Sequence, residues 1–293
     1  MKKLLKVALY ALCMVPMFTS IAKDEDPDAI EEGNIALPTS QQPSILFGFG
    51  QTIIGKGSIN GYALFERTKG RQSTQENVVI PYAVFGISDT ISLSVALPVN
   101  AKLQECHECS SGVGDLGAEI EYAFYTNNQD TYGNLASIIG SIDLPTGSAK
   151  KTPATGGGSP SFFVGVTASH LSINWLAFAA AGAYIPTKYC GVHTGKDFLY
   201  QCGFGHNFYA IPKKLIIAGV LEFNGTFTQP DRRRGINESD TGGNIFEIAP
   251  SFWLSTKHLI FQAGVSIPVA QHLFGNQPKR SYSMAINIGW NFK

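Results

Sequence analysis

Tyr282-Ser283-Met284-Ala285-Ile286-Asn287-Ile288-Gly289-Trp290-Asn291-Phe292 carries a large apolar residue at every second position, with Ser, Ala, Asn and Gly between. Successive side chains of a strand point to opposite faces, so this segment has one greasy face and one small, polar face. A strand of a soluble sandwich turns its polar face to water and favours Lys, Glu and Thr there; Gly and Ala suit a narrow interior. The terminal aromatics match the girdle of a membrane-spanning barrel. The same phase returns in 259–269, where Leu259, Phe261, Ala263, Val265, Ile267 and Val269 share one face and Gln262, Gly264 and Ser266 the other. It returns again in 115–124, with Leu116, Ala118, Ile120, Tyr122 and Phe124 outward and Gly117, Glu119 and Glu121 inward.

Composition agrees. The 293 residues include 31 Gly, 19 Phe and 11 Tyr but are only 15% charged, which is too aromatic for disorder and too rich in Gly for a helical bundle. The 22 basic and 22 acidic side chains cancel, leaving no electrostatic footprint for nucleic acid. Met1 to Lys6 is basic, Val7 to Phe18 mostly apolar, and Ser20-Ile21-Ala22 offers small residues where a signal peptidase reads. Residues 1–22 are therefore expected to be a secretory signal peptide. Beyond it no apolar run approaches the length of a spanning helix; the longest is Trp175 to Tyr184.

Connections test the barrel, because outer-membrane barrels have short periplasmic turns and longer external loops. Short links at 88–90, 171–174, 211–214 and 255–258 alternate with long polar stretches at 68–77, 102–114, 147–161, 187–196, 229–243 and 271–280; the intermediate link 126–133 falls where a short one is due. Counting back from Phe292 gives about 12 strands in residues 56–293, an even number that leaves both ends in the periplasm. The expected class is all-β, a transmembrane antiparallel barrel of the bacterial outer membrane. Residues 23–55 then form an acidic leader followed by Ser44 to Ile54, which is either a strand without a partner or a plug inside the lumen. Gly48, Gly50 and Gly55 favour the plug. Pro81, Pro98, Pro145, Pro186, Pro250 and Pro268 each forfeit a ladder hydrogen bond and call for bulges or strand ends.

Ser110-Ser111-Gly112-Val113-Gly114-Asp115-Leu116-Gly117 resembles the Gly-x-Gly-Asp strand start of the outer-membrane barrels labelled with the MetA pathway of phenol degradation, and Leu144-Pro145-Thr146-Gly147 resembles the motif after their next strand. The resemblance covers about Gly57 to Phe292. It implies a barrel that passes small, apolar or aromatic molecules. Lys293 departs from the usual ending, in which the terminal aromatic is last, and weakens the signal read by the barrel-assembly machinery.

Glu119, Glu121, Asp143, Glu222 and Glu247 take the inward phase, since charge facing lipid is costly. They either give a cation-favouring lumen or are neutralised by loop Lys and Arg or by the plug. In Cys106-His107-Glu108-Cys109 a disulfide is favoured over free thiols or a zinc site, because an exported chain meets oxidising conditions. Cys190 and Cys202 lie symmetrically about Lys196, so a hairpin with its tip there is expected to join them in a cross-strand disulfide. Arg232, Arg233 and Arg234 fall in an external loop, where guanidinium groups suit lipopolysaccharide phosphates or simply water. His170 and Ser172 lack a third catalytic member, and no pattern calls for a cofactor. Two functions remain open: a passive pore or transporter for small solutes, not an enzyme, and a closed barrel that binds partners through its loops.

Overall fold

The structure is a computed structural model that describes residues 32–105 and 107–292. The expected signal peptide and the leader through residue 31 lie outside the described residues. Alternating residues with turn signals between them give twelve strands: β1 (Ile59–Gly70), β2 (Gln75–Ser88), β3 (Ile91–Ala96 with Val99–Glu105), β4 (Glu108–Val113 with Leu116–Gln129), β5 (Tyr132–Leu144), β6 (Ser161–Ser172), β7 (Trp175–Pro186), β8 (Asp197–Ile211), β9 (Leu215–Thr228), β10 (Gly243–Thr256), β11 (Leu259–Leu273) and β12 (Arg280–Asn291). Each pairs antiparallel with the next. β1 pairs with both β2 and β12, which closes the sheet and leaves no edge.

The phase read from the sequence holds. Ile120, Tyr122, Phe124, Val166, Ile286, Ile288 and Trp290 are exposed on the outside, whereas Glu121, Asn287 and Ile260 are buried inside. Near the short-turn end, register shifts at Gly86/Ser88, Ala123/Tyr125 and Asn207/Tyr209 each insert one extra residue. A bulge sets two consecutive side chains on one face; Phe124 with Tyr125 and Phe208 with Tyr209 are accordingly all exposed, joining Trp175, Trp290 and Phe292 in an aromatic belt.

The prolines sit where the ladder already breaks. Pro98 separates the two halves of β3, and Pro81 lies where β2 changes partner from one half to the other. Pro145 follows β5, Pro186 ends β7, and Pro268 adjoins the shift at Phe246/Glu247; Pro250 lies inside β10, in the gap in its pairing with β11 between Ile248 and Ser251.

Two expected long loops are corrected. Residues 68–77 and 102–114 mostly continue β1 to β4 as ladders such as Lys69 with Gln75 and Gln104 with Cys109. These strands run past the apolar band, where neither face is greasy and alternation disappears from the sequence. The remaining long loops are real, and two of them share a small sheet of Val192–His193, Arg232–Arg233 and Ile236–Asn237.

The cross-strand disulfide is also corrected. Tyr184 pairs with Asp197 and Ala179 with Cys202, so the β7–β8 hairpin centres on residues 190 and 191 rather than Lys196. Cys202 faces outward within β8 while Cys190 sits in the loop, and both are free. Cys109 is likewise free and exposed; Cys106 lies outside the described residues, and so does any link to it.

Candidate functional site

The lumen is occupied by the chain's own N-terminal segment, residues 33–57. It starts at the short-turn end, where the Asn34 amide donates to the Ile173 carbonyl at 2.7 Å, and climbs past β10 and β11. Ser255 Oγ donates to the Gln41 carbonyl at 2.7 Å and Gln262 Nε2 to the Ile45 carbonyl at 3.1 Å. The segment bends around Phe47 to Gln51 and returns to the short-turn end, where the Lys56 amide donates to Asp89 Oδ1 at 2.9 Å and the Gly57 amide to the Gly86 carbonyl at 2.7 Å. Ala36 and Leu37 pack on Ile216, Ala218, Trp253 and Ile260, while Ile45 packs on Leu176, Phe178 and Val220. The lower lumen is thus a hydrophobic core of its own.

The bend has almost no regular structure, so its main-chain donors must be met by the wall. Glu222, in mid-β9 and fully buried, accepts from the Leu46 amide at 2.8 Å and the Phe47 amide at 3.1 Å. Gln201 of β8 accepts from the Phe49 amide at 3.2 Å and donates to its carbonyl at 2.9 Å. Glu121, in β4 and fully buried, accepts from the Gln51 amide at 3.2 Å, the Thr52 amide at 2.7 Å and the hydroxyls of Thr52 and Ser137. Gly50 adopts φ +86°, and a Cβ there would lie 2.5 Å from Thr167 Cγ2; only glycine fits both restraints.

The other acidic candidates have different partners. Asp143 accepts from the Tyr184 hydroxyl at 2.8 Å, and Glu247 pairs with Arg280 at 3.1 Å. Glu119 shares the inward face of β4 with Glu121, opposite Ser94 and Ser141. Sequence reasoning missed Glu66, Glu76 and Arg280. Glu66 continues the inward run Asn60, Tyr62, Leu64 of β1 and was readable from alternation, but Glu76 and Arg280 fell in expected loops. Glu76, Glu105 and Arg280 line a cavity of about 530 Å³ at the long-loop end, together with Leu103, Pro153 and Thr155.

Asp115, in the resembling motif, fixes the rim. It accepts from the Gly147 amide at 2.9 Å and the Gly157 amide at 2.7 Å, while Thr146 Oγ1 donates to the Gly114 carbonyl, tying loop 145–160 over the wall. Asp115→Ala leaves two amides without their acceptor, a loss of about 1–3 kcal/mol for the docked loop. Trypsin cleavage after Lys150 or Lys151 in the folded protein is expected to speed up roughly tenfold; unchanged cleavage would assign the docking to other contacts.

Arg232 and Arg233 are exposed in the loop sheet, donating to Asn237 at 2.9 Å and pairing with Glu238 at 2.6 Å; Arg234 forms the turn, at φ +53°. His170 binds Asn134 Oδ1 at 2.7 Å, and the Ser172 hydroxyl donates to the Trp175 carbonyl, so the two do not form a pair.

No protein-family model matches the chain. No curated protein matches it either. Among solved structures it is similar to the COG4313 outer membrane channel from Pseudomonas putida F1, with 14% identity and a TM-score of 0.66 over 82% of this chain and 97% of that one. It also matches the NanC porin, with 8% identity and a TM-score of 0.47 over 80% of this chain and 99% of that one. For the CymD monoaromatic hydrocarbon channel the values are 10% and 0.38, over 90% and 98%. The first likeness shows the fold: this chain is a closed, twelve-stranded antiparallel β-barrel of the transmembrane type, the architecture shared with that channel.

Proposed function

We propose that the protein is an outer-membrane channel for passive passage of small solutes, narrowed by its own N-terminal segment. The observation that carries this reading is a closed wall, apolar outside, whose lumen is lined at mid-height by Glu121, Gln201 and Glu222 and is filled by a piece of the chain as well as by wall side chains. Apolar or aromatic solutes are favoured by how the wall seats rings. Gly165 and Gly182 pair across β6 and β7 as a bare floor, on which the Phe163 and Phe49 rings meet edge to face at 4.8 Å. The resemblance to the phenol-pathway barrels points the same way. Lipopolysaccharide phosphates are the partner suited to Arg232, Arg233 and Arg234, and the assembly machinery is the partner suited to the C-terminal strand.

Single-channel recording of refolded Lys23–Lys293 in a salt gradient tests the reading. Small discrete steps with a cation-favouring reversal potential are expected. Glu119→Gln, a carboxylate not bonded to the inner segment, should lower the cation preference about twofold. Silence from folded, inserted protein would instead favour a closed barrel that works through its loops, a reading to which the many bonds of the inner segment lend weight.

A further inference from the structure

We infer that Glu121 and Glu222 form a proton-operated latch on the inner segment. The inference rests on the reading of that segment as the narrowing element. Each carboxylate is fully buried, and neither has a cationic partner among the described residues. Their charges are held by donors alone, chiefly the main-chain amides of Leu46, Phe47, Gln51 and Thr52, which bracket the bend on both sides. Hydrogen bonds to an ionised acceptor are about twice as strong as neutral ones, so the bend is held in large part by two negative charges.

A proton on either carboxyl removes that charge and places an O–H on an oxygen where N–H donors already converge. Ser137 and Thr52 can turn their hydroxyls to receive the proton on Glu121, but the amides cannot turn. Glu121 faces Glu119 on its own strand, with Asp143 and Tyr184 beyond; on the neighbouring strands Ser92 and Ile139 stand opposite it. Glu222 faces Gly203 of β8 and Ala249 of β10, and the next charged groups outward are Glu247 and its partner Arg280. Both limbs of the segment reach the short-turn end, so a released bend can move without any strand of the wall parting from its neighbour.

Conductance of the wild-type protein is therefore expected to rise roughly tenfold between pH 7 and pH 4, equivalent to about 1.4 kcal/mol in the population of the released state. The double variant Glu121→Gln, Glu222→Gln carries the neutral form permanently and turns an NH2 toward the bend's donors. At pH 7 it should match the wild type at pH 4 and lose its pH response, with each single variant in between. Hydrogen exchange of peptide 44–54, measured at pH 7 in wild type and variants alike, gives a second readout in which the double variant exchanges at least roughly tenfold faster while the strands keep their protection. A wild type indifferent to pH, or a double variant that retains both the pH response and slow exchange, overturns the latch. Faster exchange without a change in conductance would uphold the latch and overturn the channel reading beneath it.

Discussion

Replacing Ser44 to Ile54 by a short Gly-Ser linker is expected to raise single-channel conductance by roughly an order of magnitude, and the geometry of the lumen sets that scale. Twelve strands about 4.8 Å apart and tilted about 40° close at a backbone radius of roughly 12 Å. Inward side chains take roughly half of that radius, leaving an open section of roughly 110 Å². One extended limb of chain is about 4.8 Å by 10 Å across, so a rising and a returning limb together fill roughly 100 Å². Conduction past the segment is confined to the gaps between its side chains and the wall. Removing the bend and returning limb frees roughly half of the section, against the roughly 10 Å² left open beside both limbs. Steps no larger than those of the wild type, from a protein shown to be folded, would mean that the constriction lies elsewhere, with the rim around Glu105 and Arg280 the next place to look.

The second large effect concerns the outer face. Val166 lies midway along β6, exposed, beside Ile138 and Ala181. Arg at the middle of a bilayer-facing strand costs about 2–4 kcal/mol, against about 0–1 near the interface. Val166→Arg should therefore destabilise the protein by about 2–4 kcal/mol in denaturant titrations from lipid vesicles. Ser172→Arg, at the short-turn end of the same strand, should change stability by less than about 1 kcal/mol. Equal costs at the two positions would contradict a lipid band centred on Val166.

What the sequence could reveal follows from where each restraint comes from. Strand phase is local, and lipid enforces it, so Tyr282 to Phe292 alone nearly decided the architecture. The lengths of β1 to β4 were underestimated because strands beyond the bilayer have water on one side and a polar rim on the other, and nothing then marks period two. The inner segment was visible only as a remainder at 44–54, whereas it runs from Gly33 to Gly57. Its path is set by side chains as distant as Glu222, 176 residues from Leu46, and no short-range pattern encodes such a contact. The Cys190–Cys202 pairing failed for a related reason. It assumed a hairpin symmetric about Lys196, while β7 stops at Pro186 and the loop folds back on residues 229–242, with the Gly195 amide donating to Asp231 at 2.7 Å. The acidic candidates were found by phase, but phase did not distinguish Glu121 and Glu222, bound to the chain's own amides, from Glu247, bound to Arg280.

The inner segment enters the barrel beside Ile173 and leaves it beside Gly86, both at the same end. Among the described residues it is a tucked loop that does not pass between the staves. A tucked loop can go in after the cylinder has sealed and come out again without breaking a single bond between strands. Assembly needs no order in which the segment must precede closure of β1 on β12. The cylinder can be completed empty and filled afterwards, while the wall stays whole.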